Sequence, residues 1–288
     1  MGSLITVILD GLAYGMVLFI ISVGLTITMG LMNIVNLAHG GFAMAGGYVA
    51  SVLVDAGVPF LWATLIAMVV AGILGVIAEL TLYRPVYRKG ELSQLLMTFG
   101  MVFVIIAALT ALFGTHLRPF RPPASLSGLV NIGFRTYPLY RLFLIGAGIG
   151  LAVLLWLVID RTLYGARLRA AVDNSRMARA VGMDVNLLFT LTFAGGCALA
   201  GLGGILGADM MPLEPTYALR YLVIFLVVVE VGGHGNFKGS LVAALALGLI
   251  ETTGKFLIPH FSAYLMFGAV IVLLLWRPHG LLPAKSAA

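Results

Sequence analysis

Nine apolar stretches, at residues 4–30, 37–54, 60–83, 92–114, 139–160, 187–208, 220–232, 240–258 and 262–276, succeed one another with polar joints between them. Most approach or exceed the roughly 20 residues that a helix needs to cross a bilayer at about 1.5 Å per residue. Such a chain has little choice of fold. In hydrocarbon each backbone N–H and C=O must be paired inside the protein, so the stretches become helices. The 220–232 stretch is too short to cross alone. The expectation is one all-α polytopic membrane domain over residues 1–288, with eight or nine spans. Composition agrees: 61% of residues are hydrophobic, 10% are charged and the mean hydropathy is +1.09. Soluble domains are about a quarter charged.

Thirty-six glycines allow close helix packing, and the spacings Gly11/Gly15, Gly146/Gly150 and Gly203/Gly207 fit small-xxx-small contacts. The single cysteine, Cys197, excludes an intrachain disulfide and sits among small residues in GGCALAGLGG, where a packing role suffices. The net charge of +6 does not form a soluble basic patch, which argues against a nucleic-acid partner. The basic residues lie at span ends and in joints, as the positive-inside rule for a bilayer protein expects. The opening MGSLITVILD lacks the positive region of a cleavable signal, so the first apolar stretch is expected to stay.

Orientation follows from lysine and arginine. Placing 84–91 (Arg84, Arg88, Lys89) and 161–186 in the cytoplasm puts Arg277 and Lys285 there too when nine stretches cross, with the N-terminus outside. Eleven basic residues, Lys238 included, then lie inside, and six lie outside: Arg118, Arg121, Arg135, Arg141, Arg220 and Lys255. The outer, periplasmic loop 115–138 is proline-rich and partly basic, and reads either as a docking surface for a soluble partner or as an ordinary connection.

The longest run unsuited to hydrocarbon is RTLYGARLRAAVDNSRMARAVGMDVN, residues 161–186, with five arginines against Asp173 and Asp184. Asp173 or Asn174 can cap a short helix, Gly182 can close it, and the interior SRMARAV is a good helix former. One short basic helix held out beside the membrane is a natural place for a separate, energy-supplying subunit to push.

Two further stretches interrupt the apolar pattern at depth: Asn33-Ile-Val-Asn36-Leu-Ala-His39-Gly40-Gly41-Phe42 and Glu230-Val-Gly232-Gly233-His234-Gly-Asn-Phe237-Lys-Gly. Both carry His-Gly-x-Phe and both precede a small-residue helix, which suggests matching pieces of an internal repeat. Glycines and polar side chains at depth suit discontinuous helices whose freed backbone groups line a pathway for a zwitterionic solute. For His39 and His234 a tight cytoplasmic turn with the histidines facing headgroups is the slightly favoured expectation. Glu230 and Glu251 are the acids nearest span centres, where ionisable groups are functional candidates. Glu251 precedes Lys255 by four residues, so a structural pair explains it; Glu230 has the same spacing to His234. Glu79, one turn from a span end and near Arg84, is expected to snorkel to the interface, and Asp209 and Glu214 to lie in an outer loop.

Enzyme signatures are missing. GGHGNFKGS lacks the Gly-Lys-Ser/Thr succession of a phosphate loop, and the chain has no zinc spacing, nucleophile elbow or cysteine ligand set.

The runs GLAYGMVLFIISVGLTITMGLMNIVNLAHGGF, Tyr83-Arg84-Pro85, TLYGARLRAAVDNSRMARAVGMDVN, FAGGCALAGLGGIL, VGGHGNFKGSLVAALALGLIE and the terminal RPHGLL together resemble the permease subunits of branched-chain amino-acid ABC importers, the first of the two homologous permeases. The likeness covers nearly the whole chain. The broader family includes ribose, nucleoside, urea and amide importer permeases. The resemblance implies a multi-pass protein of the bacterial inner membrane, paired with a second permease, with two cytoplasmic ATPase subunits binding the ATP below and a periplasmic solute-binding protein above. It implies no cofactor on this chain and no catalysis by it. The segment Asp173, Asn174, Arg176, Arg179, Ala180, Gly182 would be the coupling helix, with Ala178, Ala180 and Val181 as its apolar face. Asn33, Asn36, His39, Gly40, Gly41, Phe42, Glu230, Gly232, Gly233 and His234 would border the pathway. The His-Gly-Gly-Phe run departs from the family pattern, which leaves aromatic or other small carboxylates, urea or amides open as solutes. A stand-alone secondary transporter or channel also stays open on the sequence alone.

Overall fold

The computed structural model describes residues 2–32, 36–86, 89–131, 133, 136–278 and 280–282. Helices α1 (Gly2–Met32), α2 (His39–Asp55) and α3 (Phe60–Ala78) come first, with α3 running on through a π-helical turn (Glu79–Tyr83) into the single turn α4 (Arg84–Val86). After α5 (Glu91–Phe113), a short antiparallel hairpin pairs β1 (Leu129–Asn131) with β2 (Thr136–Pro138), placing Val130 opposite Tyr137. Then follow α6 (Leu139–Arg161), α7 (Leu163–Asp173), α8 (Ser175–Ala180), α9 (Val185–Leu206), α10 (Tyr217–Arg220), α11 (Leu222–Gly232), α12 (Phe237–Leu257) and α13 (Ser262–Trp276).

Among the described residues, seven helical stretches are long and apolar enough to cross a membrane: 4–30, 60–86, 92–113, 139–161, 185–209, 237–257 and 259–276. The eight or nine spans expected are thus seven full ones, with α2 and α11 as shorter elements of 17 and 11 residues. The two ends of the bundle are marked by polar contacts. At one end Asp10 near the start of α1 accepts hydrogen bonds from Tyr137 (2.7 Å) and Arg141 (2.6 Å), and Arg118 pairs with Asp55 at the end of α2 (3.2 Å). Burial and the Asp10 carboxylate push the Tyr137 phenol well above its ordinary range. At the other, basic end, Lys238 at the start of α12 holds Asp160 at the end of α6 (2.6 Å).

Between these ends α2 does not start at a surface. His39, its first residue, is fully buried and its Nε2 reaches the carbonyl of Ile21, well inside α1, at 2.8 Å. Ala218 of α10 lies against Gly40 at the same level. The segment after α9 therefore returns into the bundle before α11 runs down to the basic end, and α2, which starts at the same depth, runs to the far end.

The packing repeats with inverted direction. The pair α1–α12 matches α3–α9, α2–α9 matches α1–α11, α2–α3 matches α11–α12, and α2–α5 matches α11–α13. The internal repeat is real, but it is not the one the His-Gly-x-Phe pair suggests. The first copy of that motif opens α2 at depth, whereas Phe237 of the second opens α12 at the basic end. The counterpart of α2 is α11, which shares no such motif with it.

Small residues set how closely these helices cross. A Cβ at Gly46 of α2 would strike the backbone of Gly201 of α9, and one at Gly24 of α1 would strike the Gly196 carbonyl. Of the spacings singled out in the sequence, Gly11/Gly15 packs on α12 and Gly203/Gly207 on α1, while Gly146 and Gly150 face open space. Cys197 is buried and packs against Gly75, in keeping with a packing role. Gly46→Val should cost about 1–3 kcal/mol by wedging α2 off α9, whereas Gly268→Val, where nothing lies within 4 Å, should leave stability unchanged. Melting of the two variants in detergent checks this; equal melting temperatures would contradict the close crossing.

Candidate functional site

The polar run 161–186 folds as a helical elbow of two helices, where the sequence suggests one. Thr162 accepts a hydrogen bond from the Gly165 amide (3.4 Å) to open α7, and Asn174 accepts from the Met177 amide (2.9 Å) to open α8. Asp173 is the last residue of α7 and is exposed. Gly182 closes α8 at φ +85°, a left-handed conformation that glycine adopts without a Cβ clash. Asp184 then caps α9 through the Leu187 amide at 3.0 Å. Every joint of the elbow is thus fixed by a side chain.

The elbow is also keyed to the bundle. Leu168, Ala171, Ala178, Val185 and Leu188 form a small core of their own, flanked by Tyr164, Met183 and Phe189. Tyr164 meets Thr192 of α9 at 2.7 Å, and Arg169 donates to the Ile159 carbonyl of α6 at 2.6 Å. Ala178 is 3% exposed, so it does not belong to an outer apolar face: on a helix this short, the side that caps the inner core cannot also face outward. Met177 and Val181 fill that role, with Ala180 beside them, and Arg176, Arg179 and Gly182 are exposed around them. Arg179 also donates to Asn186 at 3.2 Å.

The expected pathway residues form two separate groups. His39, Gly40, Gly41 and Phe42 come together at the buried start of α2, where Phe42 stacks edge-on with Phe193 and Gly41 packs against Ile105. A headgroup-facing turn is excluded for His39. Asn36 is buried and accepts from the Tyr83 hydroxyl at 2.5 Å; Asn33 lies outside the described residues. Glu230, Gly232, Gly233 and His234 sit instead at the basic end. Glu230 and His234 are half exposed and 3.2 Å apart, Gly232 packs on Ser240, and Gly233 turns the chain at φ +95°. Residues 280–282 lie beneath this turn, with the Leu281 amide donating to the Val231 carbonyl at 2.7 Å and Asn236 donating to the Leu282 carbonyl at 2.7 Å. Glu251 and Lys255 pair at 2.9 Å, as the spacing predicts.

One acid departs from the sequence reading. Glu79 does not snorkel: it is 1% exposed on the π-helical turn, paired with Arg84 (3.2 Å) and receiving the Thr190 hydroxyl of α9 (2.8 Å). The extra residue per turn swings it inward, and π-turns of this kind recur at functional sites. Asp209 and Glu214 keep to the outer side as expected: Asp209 lies 3.9 Å from Arg141, and Leu213, just before Glu214, accepts through its carbonyl from the Arg118 amide at 2.9 Å. Glu214 also forms a 2.6 Å ion pair with Arg220, two residues after Ala218, which meets Gly40. No signal in the sequence brings Ala218 to Gly40, because the descent of 210–216 is built by backbone that carries no periodicity.

A bundle of crossing helices, two of them starting inside it, with one rigid elbow outside, defines a multi-pass membrane protein of the permease kind. The chain belongs to the family described as branched-chain amino acid transport system / permease component, whose pattern matches residues 7–275. It is 26% identical over 295 residues to the high-affinity branched-chain amino acid transport system permease protein BraD of Pseudomonas aeruginosa, covering 96% of this chain and 94% of that protein. It is 28% identical over 291 residues to the probable branched-chain amino acid transport permease protein LivH of Methanocaldococcus jannaschii (93% and 87%). The permease protein LivM of Escherichia coli, of a system of the same description, is 27% identical over 299 residues, covering 93% of this chain and 68% of that protein. Among solved structures, PsaBC from Streptococcus pneumoniae in complex with Fab shares the fold, with a TM-score of 0.52 at 13% identity over 93% of this chain and 89% of that one.

Thr190→Val keeps the shape of the side chain and removes the hydroxyl that serves both Glu79 and Arg84. It should cost about 1–3 kcal/mol, the range for a buried group left short of a partner. A melting temperature equal to the parent's would show that the α3–α9 junction does not depend on this bond.

Proposed function

We propose that the chain is the membrane-spanning translocation subunit of an ATP-driven importer of branched-chain or related hydrophobic amino acids in a bacterial inner membrane. A second permease of the same family completes the pathway, two cytoplasmic ATPase subunits bind the ATP, and a periplasmic solute-binding protein delivers the solute. Family membership and the names of the relatives support the class of solute. That two different permease proteins of Escherichia coli, LivH and LivM, both match this chain over 93% or more of its length supports a homologous rather than identical partner.

The observation that carries this reading is the elbow, firm on its inner side and unmatched on its outer side. Met177 and Val181 are 61% and 65% exposed, ringed by arginines, an arrangement that suits a groove in another polypeptide. A load applied to α8 passes through Ala178 and Val185 into α9. Helix α9 touches α1, α2 and α3, so the load reaches the buried start of α2 without any flexible link. Closing and opening of the ATPases would in this way rock the spans between outward- and inward-open forms.

Arg176→Glu with Arg179→Glu should lower ATP-driven leucine uptake by about tenfold or more, equivalent to about 1.4 kcal/mol of lost coupling. ATP hydrolysis should persist and the binding protein's affinity for leucine should not change. Uptake at the parental rate in vesicles carrying the double variant would argue against the elbow as the point of coupling.

A further inference from the structure

Helix α3 packs on α9 and α6 packs on α1, and α3 and α6 leave a cleft of about 680 Å³ between them. Leu61 and Leu65 of α3 form one wall, Phe143 and Ala147 of α6 the other, and Leu206 of α9 lies on the floor. Residues 123–126 of the loop after α5 make the roof. Phe120 anchors that loop to both walls, its ring stacking with Phe60 (6.2 Å) at the start of α3 and Tyr140 (5.3 Å) at the start of α6.

The depth of the cleft follows from α6. Arg141, held by Asp10, marks the end of the bundle remote from the elbow, and Phe143 and Ala147 lie about 3 and 9 Å further in at about 1.5 Å per residue. The cleft therefore occupies one leaflet of a hydrocarbon core about 30 Å thick. Its open side faces that leaflet. Leu61 and Leu65 at its edge are 67% and 42% exposed, in one stripe with Val69, Ile73 and Ile77. On the α6 side, a Cβ at Gly146 or Gly150 would meet nothing within 4 Å. These two glycines, which pack on no other helix, leave a track beside Ala147 that continues the cleft towards the middle of the membrane.

Chemistry selects the occupant. The polar side chains on the cleft are Thr64, whose hydroxyl donates to the Phe60 carbonyl at 2.8 Å, and Ser125, exposed in the roof. A trapped water needs about two to four polar partners, and the charges of an amino acid would go unpaired here. A hydrocarbon chain needs no partner. The roof supplies the rest. Residues 115–138 include three arginines and no acid. Arg118 is paired with Asp55, whereas Arg121, two residues before Pro123, is exposed and has no ion pair among the described residues. We infer that the cleft holds one acyl chain of an anionic phospholipid, with Arg121 on its phosphate. Guanidinium and phosphate pair through parallel charge-assisted hydrogen bonds. The lipid so held fills the gap between α3 and α6 and ties the loop to the leaflet beneath it.

The test needs only the full chain with whatever subunits purify with it, so its failure leaves the importer reading untouched. The complex is extracted in a maltoside detergent and titrated with phosphatidylglycerol, and the lipids it keeps are counted by native mass spectrometry. The parent should keep one more lipid per copy of this chain than Ala147→Trp, which fills the cleft. Val69→Trp, on the same exposed side of α3 but off the cleft, should keep the parental count. Arg121→Gln, an exposed change in the loop, should weaken retention about fivefold, the worth of one basic residue at an anionic lipid surface. Equal counts in the parent and Ala147→Trp, or equal loss in Val69→Trp, overturn the cleft as the seat of the chain. Retention unchanged by Arg121→Gln overturns the phosphate contact. Should Ala147→Trp fail to fold, the parent still decides, because a parent that keeps no phosphatidylglycerol overturns the site. Shielding of an Ala147→Cys thiol by a soluble partner protein, with no lipid kept, would assign the cleft to that protein instead and overturn the inference.

Discussion

The structure turns on one demand of the hydrocarbon interior: backbone polar groups that leave a helix there must find partners inside the protein. Two returns into the bundle carry non-helical backbone among the described residues, at 36–38 before α2 and at 210–216 before α10, and the remaining helices are arranged around these two returns. Long helices α1, α9 and α12 enclose them, and glycine at the crossings lets main chain approach main chain. His39 closes the first return by reaching the Ile21 carbonyl from a fully buried position. Near the second, the hydroxyl of Tyr140 reaches the Leu206 carbonyl at the end of α9 at 2.9 Å.

Much of this architecture is legible in the sequence. Apolar length finds the long helices to within a few residues, together with the run at 220–232 that is too short to cross. Cap chemistry finds the elbow: Asn174 and Gly182 do there what their residue types predict. Three things escape, each for a physical reason. Whether a small helix such as α8 turns Ala178 in or out depends on what packs beneath it, and Leu168 and Ala171 come from α7 while Val185 comes from α9. The approach of Ala218 to Gly40 depends on non-helical backbone with no period to read. The inward turn of Glu79 depends on one extra residue in a helical turn, which alters the facing of everything near it without altering composition.

One set of buried polar contacts falls on the line between the elbow and the first return. Thr190 and Thr192 on α9 touch Glu79 and Tyr164, and Tyr83 on the same π-helical turn as Glu79 bonds Asn36 just before α2. Buried bonds of this kind hold their partners in one geometry more firmly than apolar contact does. Over this route the elbow, α9, the end of α3 and the start of α2 form one connected body, while α5 and α13 present apolar sides outward.

The interlocked repeat has a consequence for how the protein is made. Each short helix packs on the opposite half: α2 leans on α9, and α11 leans on α1. Chains emerge from the ribosome N-terminus first, at about 5–20 residues per second. The glycine face of α2, cut to receive Gly201 and Gly204, is therefore completed well before its counterpart exists. Until α9 arrives, the early half can be threaded into the membrane but cannot be finished, so its polar interior must be sheltered for that interval by water in the insertion machinery or by another protein.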